Sequence, residues 1–191
     1  GYDGAALAAL AERCDVLTFE HELVDLAALA ELEARGVRVR PSTAVLRLAV
    51  DKLHQRETLS NMDGVHVPAY ARVSNDDELR AFADEHGWPL VLKARSGGYD
   101  GRGVWMCPDV EAGSRALEQG QAAGLELYVE EAVAIATEVA VLVARSPGGE
   151  LAVYPPVETF QIDGMCRWVM LPGRIPEQIS AEIEGLARTL A

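Results

Sequence analysis

Two lysines, one run of glycines and a scatter of carboxylates are the residues in this chain that could do chemistry. Lys93 closes an apolar run, Leu90 to Leu92, that reads as a buried strand. A compact, strongly hydrated cation therefore stands at a strand's end. Behind it comes Ser96-Gly97-Gly98-Tyr99-Asp100-Gly101-Arg102-Gly103-Val104, with four glycines in seven residues from Gly97 to Gly103. Such density suits a backbone that takes positive φ or approaches a ligand closely, and bare N–H groups in such a loop can cradle phosphate oxygens. A plain hairpin turn would use the same glycines; the lysine just ahead of them favours a lid over a nucleotide phosphate. The order is neither a P-loop nor the dinucleotide fingerprint, since no Gly-Lys-Ser/Thr follows.

The stretch from Lys93 to Gly103 resembles the lid loop of the 5-(carboxyamino)imidazole ribonucleotide synthases, ATP-grasp ligases of purine biosynthesis. Asp15-Val16-Leu17-Thr18-Phe19-Glu20-His21-Glu22 upstream and Tyr154-Pro155 to Glu158 downstream resemble the same family in the same order. The resemblance covers nearly the whole chain. It implies an enzyme that uses ATP and Mg2+ to carboxylate 5-aminoimidazole ribonucleotide with bicarbonate through carboxyphosphate. Lys93 is then the catalytic cation and, with Lys52, a phosphate contact, while Gly98, Tyr99, Asp100, Gly101, Arg102, Gly103 and Val104 form the covering loop. Tyr99 and Asp100 also face the imidazole substrate. Adenine falls to Glu130, Glu131, Ala132 and Val133, the ribose to Glu138, and Gln161 lies near the nucleotide. Lys52, Val104 and Gln161 stand where the family more often has arginine, glutamine and histidine, so lysine loses a bidentate fork and Val104 keeps only its backbone contact. No metal ligand is assigned within the chain. The resemblance puts the magnesium ligands on strands after residue 191, so these residues alone are expected to be inactive. Other ATP-grasp ligases (a carboxylate–amine ligase, a biotin carboxylase) and a non-catalytic nucleotide-binding module are the rival readings; Gly-Gly-Tyr-Asp-Gly argues against the two ligases.

The elements that must position these residues follow from pattern. Asp3 and Asp25 are placed to cap helices over 5–13 and up to about Arg35, the second stopped by Gly36. Strands at 15–20 and 37–39 between and after them make a βαβ rhythm, which predicts a parallel pairing. Ser42 caps one long helix over 43–62 that carries Lys52. Strand 65–71, a helix opened by Ser74 and Asp77, the central strand, the returning strand 104–107, a helix from Pro108-Asp109 to about Gly120, and strand 125–129 give a βαββαβ order. Leu125, Leu127 and Val129 alternate with Glu126, Tyr128 and Glu130, which predicts one exposed face. From Glu138 onward the pattern is a β meander: 139–145, a Ser146-Pro147-Gly148-Gly149 turn, 151–154 and 157–162. An Asp163-Gly164 hairpin then leads into 165–170, and Pro176 opens a last helix. The fold class is α/β (α+β). The resemblance implies a partial ATP-grasp fold: the end of a Rossmann-like N-terminal domain over 1–41, a connecting helix over 42–64, an α/β lid subdomain over 65–129, and the start of the antiparallel C-terminal subdomain over 130–191.

Composition sets outer bounds. The 191 residues carry a formal charge of −13, with 49% hydrophobic and 25% charged side chains. That acidic balance disfavours nucleic acid and anionic membrane as partners, and no apolar run reaches membrane-spanning length. Cys14, Cys107 and Cys166 lack zinc spacing and read as reduced cytoplasmic thiols packed in cores. The four histidines (His21, His54, His66, His86) show no ligand spacing. The chain opens on Gly1 without a leader, which suggests the middle of a longer protein. In the full-length protein the resemblance implies a homodimer.

Overall fold

The computed structural model describes residues 3–98 and 102–191. They divide into two compact units: the chain up to Asn61 with Val67–Gly98 and Gly103–Ala132, and a second unit of Met62–His66 and Val133–Ala191.

The first unit opens with α1 (Gly4–Ala11) and α2 (Leu26–Ala34), capped by the carboxylates of Asp3 and Asp25 as their positions predict. The strands expected at 15–20 and 37–39 reduce to a single parallel bridge, Leu17 with Val39. The parallel direction is as expected, and both residues are buried among Leu29, Leu32 and Leu46.

The single helix expected over 43–62 is two helices, α3 (Thr43–Val50) and α4 (Lys52–Ser60). The break is at Asp51, which takes an extended conformation (φ −109°, ψ 97°) and caps α4 by accepting from the His54 amide. Lys52 thereby sits at the first position of a helix rather than inside one. Propensity alone does not forbid a helix through Asp51; the tertiary bonds described below override it.

Four antiparallel strands follow in the order β1-β4-β2-β3: β1 (Tyr70–Val73), β2 (Leu90–Ala94), β3 (Val104–Cys107) and β4 (Leu127–Glu131). Helices α5 (Asp76–His86) and α6 (Val110–Ala122) complete the βαββαβ order. The first strand begins at Tyr70, five residues later than its pattern suggests. The cap of α5 is Asn75, accepting from the Glu78 amide, with Glu78 reaching back to the Ser74 amide. The box expected on Ser74 is therefore shifted by one residue. Asp109 caps α6 as expected.

Side chains alternate across a strand, so the register sorts the sheet into two faces. Leu90, Leu92, Ala94, Leu127, Val129 and Cys107 pack with Leu79, Phe82, Ala116 and Leu117 of the two helices into the main core. Full burial of each such leucine stabilises by about 1.5–3 kcal/mol. Val91 and Lys93 of β2 pair with Glu130 and Tyr128 of β4 and share the opposite face. That face is not the solvent face the alternation suggests: Tyr128 is 0% and Glu130 2% exposed.

The second unit holds β5 (Glu138–Ala140), β8 (Val157–Ile162) and β9 (Met165–Met170) in one antiparallel sheet, β6 (Val143–Arg145) with β7 (Leu151–Val153) in another, and α7 (Glu177–Leu190). The strand expected over 139–145 is two short ones. The hairpin between β8 and β9 turns at Asp163 and Gly164, both with positive φ (52° and 74°), which is the two-residue turn that matches strand twist.

A buried carboxylate between two cations

Lys93 is the fourth residue of β2, and its alternation with the buried Leu90 and Leu92 puts its side chain on the polar face. There the ammonium donates to Oε2 of Glu130. The other oxygen, Oε1, accepts from Nε of Arg56 at 2.5 Å. Arg56 lies four residues after Lys52 on α4, so the two cations share one side of that helix. Burial pushes the Glu130 carboxyl up, but the hydrogen bonds and charges of Lys93 and Arg56 outweigh it and hold it below the usual carboxylate range. Two residues earlier, the Tyr128 hydroxyl is buried with no hydrogen-bond partner among the described residues. Burial, with the Glu130 charge nearby, raises its pKa well above the ordinary phenol value.

A second charged group ties the two lysine-bearing elements together. Asp51 grips Arg95 with both oxygens, at 2.8 and 2.6 Å, a bidentate fork that fixes geometry as well as charge. The backbone amide of Lys52 donates to the Arg95 carbonyl at 2.9 Å. Arg95 also pairs with Glu126 at 3.0 Å. The Arg95 bond lowers the Asp51 pKa against the opposing pull of burial. So the start of α4 is held at the base of the loop that follows β2, and that loop closes where the Ala94 amide donates to the Gly103 carbonyl at 2.7 Å. Gly103 has φ +75°, and a Cβ there would stand 2.9 Å from the Ala94 Cβ. Both facts require glycine.

Of the remaining sequence-derived candidates, Tyr99, Asp100 and Gly101 lie outside the described residues. Gly98 precedes them in irregular chain and Arg102 follows in an exposed turn. Val104 opens β3 opposite Lys93 and is 44% exposed. The Lys52 side chain has no hydrogen-bond or ion-pair partner among the described residues. Glu130 and Glu131 belong to β4 rather than to a linker; irregular chain starts at Ala132. In the second unit Glu138 accepts from Gln161 Nε2 at 2.8 Å and Thr159 Oγ1 at 3.2 Å across β5 and β8. Glu158 is paired with Arg174 at 3.1 Å, which holds its carboxyl low.

Sequence reasoning missed Arg56, Arg95 and Asp51 as partners. Asp51-Lys52 with Arg56 four residues on is a basic pair on one helix face, but its partner is 74 residues away, beyond the reach of a local pattern. A divalent cation needs clustered oxygen donors. Among the described residues no group of three or more His, Cys, Asp or Glu side chains could hold one. Glu130 and Glu158 are already committed to cations, so the described residues do not fit a magnesium site.

Residues 58–191 match the family model for the ATP-grasp domain. The chain belongs to the ATP-grasp family. It is 41% identical, over 98% of its length and 47% of the relative's, to the N5-carboxyaminoimidazole ribonucleotide synthase of Synechococcus elongatus. A crystal structure of the carboxyaminoimidazole ribonucleotide synthase of Aspergillus clavatus complexed with ATP is 33% identical with a TM-score of 0.89, covering 98% of this chain and 48% of that one. The A. clavatus enzyme in complex with ADP and 5-aminoimidazole ribonucleotide superposes with a TM-score of 0.85 at 30% identity, over 98% and 48% of the two chains. The chain spans about half the length of the relatives it matches.

Proposed function

We propose that this chain is the nucleotide-handling part of an N5-carboxyaminoimidazole ribonucleotide synthase. In this reading ATP phosphorylates bicarbonate to carboxyphosphate. The amine of 5-aminoimidazole ribonucleotide is then carboxylated, releasing phosphate alongside ADP. The observation that carries it is Lys93, fixed by Glu130 at the base of a glycine loop, in a chain that is like the synthases along nearly its whole length.

Phosphoryl transfer asks the protein mainly for positioning and charge stabilisation. Lys93 and Lys52 supply point charges to the phosphates, and Gly98 to Val104 cover them, with Tyr99 and Asp100 towards the imidazole substrate. The adenine amino group and ring nitrogen fall to the segment Glu130 to Val133, by backbone contacts, since both Glu130 carboxylate oxygens are engaged. Glu138, steadied by Gln161, takes the ribose hydroxyls. Magnesium belongs to the same reading as the ion that would neutralise phosphate charge. The reading extends to a cytoplasmic homodimer, tested by sedimentation of the full-length protein; of the three cysteines expected in cores, Cys107 is buried but Cys14 and Cys166 are exposed.

The deciding assay follows ADP release by the full-length protein with ATP, magnesium and bicarbonate. Addition of 5-aminoimidazole ribonucleotide is expected to stimulate release, and amino acids are not. Stimulation by an amino acid instead would move the protein to a carboxylate–amine ligase.

A further inference from the structure

Two cations share the one buried carboxylate of Glu130, and only one of them, Lys93, stands at the base of the glycine loop. If Lys93 were the sole partner of Glu130, the pair would be neutral and Lys93 would have little attraction left for a phosphate. Drawing Lys93 away would also leave a carboxylate that is 2% exposed without a counter-charge, which a protein interior tolerates poorly. Arg56 removes both difficulties. Its guanidinium holds Oε1 independently of Lys93, which holds Oε2, so the trio keeps a net positive charge and Glu130 stays paired when Lys93 turns to a ligand. The position of Arg56 is itself defined: Nη1 donates to the neighbouring Gln55 at 3.2 Å, and its side chain is 19% exposed.

We infer that Arg56 is a positioning residue for nucleotide binding: by neutralising Glu130 from α4 it leaves the Lys93 ammonium free to engage the phosphates of ATP. This rests on the reading of Lys93 as a phosphate contact. It makes a specific demand, namely that Glu130 becomes an inhibitor of ATP binding once Arg56 is gone.

The test is titration of the full-length protein with a fluorescent ATP analogue, using the wild type and four variants: Lys93→Ala, Arg56→Gln, Arg56→Lys and the double variant Arg56→Gln/Glu130→Gln. Loss of a charge-assisted contact predicts that Arg56→Gln weakens binding by about tenfold or more, with Arg56→Lys recovering most of it. The double variant should bind at least about threefold more tightly than Arg56→Gln, because removing Glu130 releases Lys93 even though it gives up the positioning that Glu130 supplies. A residue that merely supported the fold would not be rescued by a second deletion in the same cluster. Weak binding by Lys93→Ala with unchanged binding by Arg56→Gln would overturn the inference and leave the Lys93 assignment standing. Unchanged binding by Lys93→Ala would remove that assignment and the inference with it. Should Arg56→Gln lose its cooperative melt, the double variant decides: binding more than about tenfold weaker than wild type overturns the inference.

Discussion

Glu130 and Glu138 are both strand carboxylates eight residues apart in sequence, yet they live under different physics. Glu130 is buried on the polar face of the four-stranded sheet, between cations from β2 and α4. Glu138 is exposed on β5 and, among the described residues, accepts only from neutral donors, Gln161 and Thr159 of the adjacent strand. The first site is assembled from residues 37 and 74 positions away and is a fixed electrostatic arrangement. The second is a local cross-strand contact that a ligand can displace at little cost. A fixed charged arrangement suits the phosphate contact proposed above, whereas an adaptable polar patch suits accepting hydrogen bonds from hydroxyl groups.

The comparison breaks first on stability. Glu130→Ala leaves two cations without their buried partner and is expected to cost about 3–5 kcal/mol, whereas Glu138→Ala should stay within about 0.5 kcal/mol of wild type. Urea unfolding of both variants gives the ratio, and similar losses would mean that burial does not separate the two carboxylates. Next in size is Gly103→Ala. A side chain at positive φ and in contact with Ala94 should cost about 1–3 kcal/mol, read as a lowered thermal midpoint, while Gly148→Ala, with only a loose neighbour at 3.6 Å, serves as control. Asp51→Ala follows: it removes a helix cap worth about 1–2 kcal/mol and leaves Arg95 with Glu126 alone, so its loss should exceed that of Asp3→Ala, a cap alone.

The smallest effect is on pH. Glu130 and Asp51 both have folded-state pKa values depressed below the unfolded ones. Their stabilisation is therefore complete above the unfolded value and lost as pH falls through the folded one. The unfolding midpoint should be flat from neutral to mildly acidic pH and fall below about pH 4. In Glu130→Gln, which cannot titrate, that acid limb should be shallower; an identical limb would show that the Glu130 pairing is not what depresses it.

Much of this was legible in the sequence because it is local. Helix caps at Asp3, Asp25 and Asp109, the Asp163-Gly164 hairpin, the bounds of β8 and the βαββαβ order all follow from neighbours within a few residues. What was not legible depends on partners far along the chain. Nothing near Asp51 predicts a helix break, since the break is made by Arg95, 44 residues on. Likewise the Leu127-Tyr128-Val129-Glu130 alternation reads as half-exposed, and nothing local signals that the second face, where Arg56 reaches Glu130, is buried too. Lys93 was visible from its strand and its glycines. Its two-cation setting was not, because pairing charges across a sheet is a tertiary event.

The most direct test of the central claim compares Lys93→Ala with Lys52→Ala in steady-state kinetics on the full-length protein. Lys93 is positioned by Glu130, whereas the Lys52 side chain begins at a helix start with no such partner among the described residues, so a phosphate contact from Lys93 would be the better preorganised of the two. Lys93→Ala should lower kcat/KM for ATP by about 1.5–3 kcal/mol and Lys52→Ala by clearly less. Equal losses, or a larger one at Lys52, would contradict the account.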